Sequence, residues 1–294
     1  MQPSLFEPDE RFLLPEFIGR ARVLASDSKN LLTPGKGRTS DFDYTLNPYR
    51  GCSFDCSYCF AAAFVPDELQ KSEWGLWVEA KVKALDSLAS KELRNKRIFM
   101  SSATDPYQPL EGKVKLTRSI VEELLRQQVR LMVQTRSPIV ERDIDLLQGF
   151  DDVQVNLSIT TDDEEVRKRF EPSCASIDRR LLTISRLSAA GLKTCICVGP
   201  MLPMRDPEEF ARRTADIGPT HVSTAYFLTS DKPFASNTRE RALGIAEEYG
   251  WDRDEYDRAV GLMAKHLPSL VRRGERSGTS SARPGTTGQA ALLM

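Results

Sequence analysis

A chain of 294 residues and 33.0 kDa, 40% apolar and 28% charged, is long enough for one large α/β domain or two small ones, and needs no cross-links to hold its core. Its charges nearly cancel, 41 Lys and Arg against 42 Asp and Glu with a pI near 6.2, which excludes a basic nucleic-acid protein as a description of the whole chain, though not a local basic groove. The opening residues lack a basic start followed by an apolar run, and no stretch approaches the ~20 apolar residues of a membrane helix, so the expectation is a cytoplasmic protein that enters no membrane.

Residues 1–40 read as an irregular extension, with a short apolar piece at Arg22, Val23, Leu24 and Ala25 and a turn-rich stretch from Thr33 to Gly37. A first strand is predicted near 44–46 (YTL). Directly after it come Cys52, Cys56 and Cys59, in C-x3-C-x2-C spacing. Thiolates this close together can converge on one metal centre, and a [4Fe–4S] cube normally takes four of them, so three would leave one iron open for chemistry. Gly51 permits a tight turn, while Phe54, Tyr58 and Phe60 can shield a cluster from water. A structural zinc site would normally add a second cysteine pair or histidines; the next cysteine is 115 residues on (174 − 59), and His221 and His266 are the only histidines. An electron-transfer ferredoxin would need a fourth cysteine, and three merely buried thiols are the remaining alternative.

Farther along, Trp77, Ala80, Ala84, Leu85 and Leu88 fall on one helical stripe, and a strand follows at 97–101 (RIFMS). Ser101, Ser102, Thr104 and Asp105 gather at its end. Several hydroxyls with one carboxylate suit an ammonium group, or an N-capping turn before Pro106. A helix through Ile120, Val121, Leu124 and Leu125 leads to a strand at 129–135 (VRLMVQT), ended by Arg136, which could grip a carboxylate through two parallel bonds or serve as a solvated loop cation. The strand at 153–159 (VQVNLSI) carries Ser158, with Thr160 two residues later on the same face. Glu171 reads as a weak loop candidate and Cys174 as a buried core thiol. A helix with Ile184 and Leu187 precedes the strand at 192–198 (LKTCICV), where Cys195 and Cys197 share one face and also read as core; a last strand is predicted at 220–228. Tyr49, Tyr107, Tyr226 and Phe227 could line a pocket for a flat group, or belong to the core. Beyond it Ala242, Leu243, Ala246 and Tyr249 share a helical face, and Asp252 with Glu255 reads as the capped start of a helix through about Leu267.

Strands alternating with helices predict a mainly parallel sheet with right-handed crossovers, here about six βα units: a partial (β/α)6 TIM barrel with chemistry at the strand C-terminal ends. The predicted organisation is an extension at 1–40, the barrel at 41–230, a helical part packed on it at 231–271, and a disordered tail at 272–294, rich in Gly, Ser, Thr and Arg.

The cysteine loop with Tyr58 before its last Cys, after the first strand of such a chain, resembles the radical S-adenosylmethionine (SAM) superfamily. Residues 43–52 (DYTLNPYRGC), 104–111 (TDPYQPLE) and 169–172 (RFEP) resemble its spore photolyase-like branch, and within that branch its uncharacterised bacterial members. The resemblance implies an enzyme whose [4Fe–4S] cluster, on Cys52, Cys56 and Cys59, binds SAM at its open iron. Once reduced by an external carrier of flavodoxin or ferredoxin type, the cluster splits SAM to a 5′-deoxyadenosyl radical that abstracts hydrogen from a substrate not yet identified. It also implies that Ser101, Ser102, Thr104 and Asp105 meet the SAM amino group, Arg136 its carboxylate, Ser158 and Thr160 a polar group, and the backbone at Val198 the adenine, with Tyr58 beside the cluster. Spore photolyase returns hydrogen from a Cys in the segment matching 101–105; Ser102 stands at about that place here, and a hydroxyl is a far poorer hydrogen-atom donor. The alternatives are a photolyase-like enzyme acting on nucleic acid, which the net charge does not favour, and a non-catalytic metal-stabilised nucleic-acid-binding protein resting on Arg272, Arg273, Arg276 and Arg283.

Overall fold

The computed structural model describes residues 11–227 and 239–273. Short strands β1 (Phe17–Ile18), β2 (Ala21–Ala25) and β3 (Leu32–Pro34) come first, followed by β4 (Tyr44–Leu46), β5 (Tyr49–Gly51) and β6 (Trp77–Ala80). Six more strands follow: β7 (Arg97–Met100), β8 (Arg130–Thr135), β9 (Val153–Ser158), β10 (Lys193–Met201), β11 (His221–Tyr226) and β12 (Leu270–Arg272).

The main sheet runs β12-β11-β10-β9-β8-β7-β4-β3, parallel throughout except for β3, which pairs antiparallel with β4 at one edge. The strands form because continuous apolar and β-branched runs fit a sheet covered by helices. Helices Leu116–Arg126, Ile177–Ala189 and Pro207–Ile217 supply the crossovers, and Ile98, Val133, Val155, Ile196 and Val222 pack with them in one core. This is the incomplete (β/α) barrel that the strand–helix alternation predicts. Arg253–Ala264 starts at the expected cap, with Asp252 Oδ1 accepting from the Glu255 amide at 2.9 Å, and packs on Pro207–Ile217.

Three expectations change. Trp77 to Ala80 is not helical: it is strand β6, held between β2 and β5 in a separate four-stranded sheet β1-β2-β6-β5. Aromatic and β-branched residues accept either state, and long-range pairing decides. Only Val82–Ala84 and Leu85–Ala89 coil in that region. The expected irregular extension contains β1, β2 and β3, since the apolar piece at 22–25 finds a partner in β6. Arg272, placed at the start of a tail, instead ends β12 alongside β11; residues 274–294 lie outside the described residues.

Candidate active site at the barrel mouth

β4 ends where β7, β8 and β9 also terminate, and the cysteine loop follows one short strand later, directly after β5. Gly51 enables its first bend. Its φ is +75°, and a Cβ there would stand 2.6 Å from the Trp77 carbonyl oxygen and 2.8 Å from its ring. Two side chains from the β7 end fasten the loop: Thr104 Oγ1 donates to the Gly51 carbonyl at 2.7 Å, and Gln108 Oε1 accepts from the Ser53 amide at 3.0 Å. From the other side, the Ser57 amide donates to the Phe170 carbonyl at 2.8 Å.

Cys52 and Cys56 are buried and Cys59 is half-buried. Each of the other two thiols acts electrostatically on Cys52, so the trio shares one space. Burial pushes the Cys52 thiol well up and Cys59 to about 11. Cys56 goes the other way: its hydrogen bond with the Cys174 thiol (3.8 Å) outweighs burial, and the Arg136 guanidinium, 3.1 Å away, adds to the effect. Among the described residues, no three His, Cys, Asp or Glu side chains gather tightly enough for one metal ion. A cube anchors each thiolate on a different iron, so its ligands need not converge on one point, and this donor set fits it.

Behind the loop lies a charge network centred on fully buried Glu171 and Arg180. Glu171, expected to be a solvated loop acid, is 0% exposed. Its Oε1 accepts from Thr160 Oγ1 at 2.8 Å, from Arg136 Nη1 at 3.1 Å and from the Tyr58 hydroxyl. Arg180 Nη2 stands 2.7 Å from Oε2 as a charge contact rather than an aligned hydrogen bond, and Arg180 Nη1 donates to the Ser158 carbonyl at 3.0 Å. Burial alone would raise the Glu171 carboxyl; Arg180 and Arg136 hold it at about 2. Arg167 Nη1 closes the loop through the carbonyls of Glu171 (3.1 Å) and Cys174 (3.0 Å).

The sequence-predicted residues are therefore brought together, but not all in the roles expected. Arg136 points at Cys56, Tyr58 and Glu171. Asp105 accepts from the Tyr107 amide (2.9 Å), the Thr135 hydroxyl (2.6 Å) and the Arg136 amide (2.9 Å), so its carboxylate organises two strand ends. Ser102 Oγ accepts from Asn47 Nδ2 at 3.1 Å, and Ser158 Oγ from Gln134 Nε2 at 2.9 Å. The Val198 side chain packs in the apolar core, leaving its backbone for any ligand. Ser101, at φ +81°, is buried with its hydroxyl lacking a protein partner, an orphan that a bound cofactor would satisfy. Cys174 is buried in the core as expected and stands against Cys56, and Cys195 and Cys197 are buried as well. Tyr49, Tyr107 and Phe227 are core residues, and Tyr226 stacks near Tyr256. Asn47, Gln108, Arg180 and Cys174 were not legible as site residues; only the Phe-Glu-Pro segment hinted at Glu171.

Residues 46–214 match the family model of the radical SAM superfamily. The chain belongs to that superfamily. An uncharacterized protein of Methanocaldococcus jannaschii is 33% identical over 160 residues, 54% of this chain and 61% of that protein. An uncharacterized protein of Mycobacterium tuberculosis is 29% identical over 171 residues, 55% and 50% of the two chains. The matched part of this radical SAM chain thus spans only half to three-fifths of these relatives. Spore photoproduct lyase complexed with dinucleoside spore photoproduct superposes with a TM-score of 0.59 at 16% identity, over 85% of this chain and 80% of that one. A variant of that lyase holding bound AdoMet superposes at 0.57 and 15% identity over the same shares. At such identity the likeness is one of fold: both are radical SAM partial barrels. Among the described residues, no helix is long and apolar enough to cross a membrane.

Proposed function

We propose that the chain is a radical SAM enzyme in which Cys52, Cys56 and Cys59 hold a [4Fe–4S] cluster, with SAM docking across the ends of β7, β8, β9 and β10. When bound and reduced by an external one-electron carrier, the cluster would supply the electron that splits SAM to a 5′-deoxyadenosyl radical, which takes hydrogen from the substrate. The observation that carries this reading is the cysteine trio, two buried and one half-buried, at the C-terminal mouth of a parallel barrel, where such folds place their chemistry. The surrounding residues would fix its geometry. Arg136 and Cys174 favour the thiolate of Cys56, Tyr58 and Phe54 keep water from the loop, and Thr104 with Gln108 clamps it to β7. Ser101, Ser102, Ser158 and Thr160 offer hydroxyls to the polar groups of SAM from two strand ends, and Asp105 holds the turn after β7.

Protein reconstituted anaerobically with iron and sulfide is expected to show a [4Fe–4S] spectrum and, once reduced, to form 5′-deoxyadenosine from SAM. Changing Cys56→Ala should abolish both. SAM cleavage retained by that variant overturns the assignment.

A further inference from the structure

The inner face of the sheet is polar where a buried surface is ordinarily apolar. Strand pairing sets Gln134 opposite Asn156, Asn156 opposite Cys195, and Cys195 opposite His221. One step towards the mouth, Ser158, Cys197 and Ser223 form a second row. Side-chain contacts place them on one face: Cys197 Sγ donates to Gln134 Oε1 at 3.7 Å, Ser223 Oγ to Cys197 Sγ at 3.6 Å, and Gln154 Nε2 to Asn156 Oδ1 at 2.7 Å. Arg273, just past β12, reaches the Cys197 sulfur at 3.5 Å rather than a carboxylate. Burying such a wall is costly unless something uses it.

Three of its nitrogens have no partner: Asn156 Nδ2, His221 Nε2 and Arg273 Nε. Asn156 is 1% exposed. Arg273 Nη2 reaches Cys197, two residues along β10 from Cys195, the register partner of Asn156, so the cation stands next to the amide row. The aromatic residues that could have stacked a flat base are engaged elsewhere: Tyr49 with Glu111, Phe227 against Phe170, Tyr226 against Tyr256.

We propose that this inner wall is the substrate pocket and that it takes a small molecule by an oxyanion, a carboxylate or a phosphate, held by Arg273, Asn156 and His221. The proposal rests on the radical SAM reading, which puts the reacting atoms just above the wall. An acceptor-rich anion answers the orphaned Asn156 and Arg273 donors together, with His221 as a third in its Nε2–H tautomer, and a guanidinium with an amide suits two oxygens at once. Asn156, at 1% exposure, lies too deep for the phosphates of an intact duplex, which favours a small molecule as the substrate.

The test is thermal unfolding of the reconstituted, SAM-bound protein in inorganic phosphate, in malonate and in chloride at matched ionic strength. A saturable rise in unfolding temperature over chloride is expected in the phosphate arm or the malonate arm, and the responding arm distinguishes phosphate from carboxylate. Arg273→Met and Asn156→Asp should each weaken that anion at least tenfold. The second keeps size and polarity and adds a repelling charge, so it carries the test should the first fail to fold. No response in either arm, or an unchanged response in both variants, overturns the pocket. Since the readout needs no SAM cleavage, 5′-deoxyadenosine formed without anion binding sinks the pocket alone, and anion binding without 5′-deoxyadenosine sinks the radical reading alone.

Discussion

At the mouth of the barrel, Glu171 is fully buried and answered by Tyr58, Thr160, Arg136 and Arg180, whereas on the inner wall Asn156, buried to the same degree, leaves its amide nitrogen without a partner. Both regions bury polar groups in the same sheet. The mouth sets charge against opposite charge, even where Glu171 Oε2 and Arg180 Nε make no hydrogen bond, and so is held before any ligand arrives; the wall leaves the Asn156 amide nitrogen with neither a hydrogen bond nor a counter-charge, and so gives up stability that a ligand can restore. Equal burial can therefore carry opposite energetic meaning, which substitutions at the two places should expose.

The largest effect belongs to Glu171. Glu171→Gln keeps the shape and strips the charge, leaving Arg180, itself 0% exposed, without its counter-charge. Breaking a buried pair this way costs about 3–5 kcal/mol, read as a lower unfolding free energy in urea under anaerobic conditions. A loss below about 1 kcal/mol would mean that the mouth is as loosely wired as the wall. The same group sets an acid limit. Its folded carboxyl titrates at about 2 against an ordinary 4.5, so its contribution is complete above pH 4.5 and is lost as pH falls towards 2. Wild-type protein should lose about 3 kcal/mol across that window from this group, and Glu171→Gln should lack that part of the slope.

Next in size is Gly51→Ala. The added methyl meets the Trp77 carbonyl and ring, and φ +75° is strained for alanine, so a loss of about 1–3 kcal/mol is expected together with poorer iron retention. Unchanged unfolding and full iron content would show that the cysteine loop tolerates a different path, and that the mouth is not held in advance.

How much of this was legible in the sequence follows from range. The parallel strands were legible because strands covered on both faces write themselves as continuous apolar runs, and the cysteine trio because its spacing is local. Trp77 to Ala80 was misread because its apolar stripe fits a helix, and what makes it a strand is β2, about fifty residues earlier in the chain. Glu171 and Cys174 sit in a loop whose own composition says solvent. Their burial comes from Tyr58 and Cys56, more than a hundred residues away, and no local pattern encodes such a meeting. The inner wall was half legible: Cys195 and Cys197 were seen to share a face, but which face looked inward depended on the pairing register, which the single strand does not state.

The smallest expected effect tests the comparison most sharply. Asn156→Val replaces a buried amide by an apolar group suited to a strand. Removing a residue at 1% exposure would ordinarily be destabilising, through lost packing and a broken hydrogen bond. Here the substitution also removes an orphaned donor, while the group it abandons, Gln154 Nε2, belongs to a half-buried side chain that can turn to water. The two terms are of similar size and opposite sign, so stability in the absence of an anion should stay within about 1 kcal/mol of wild type, by urea unfolding. A loss as large as that at Glu171 would show that the amide is already satisfied in the folded protein, and the wall would then be a second rigid network rather than a surface kept open for a ligand.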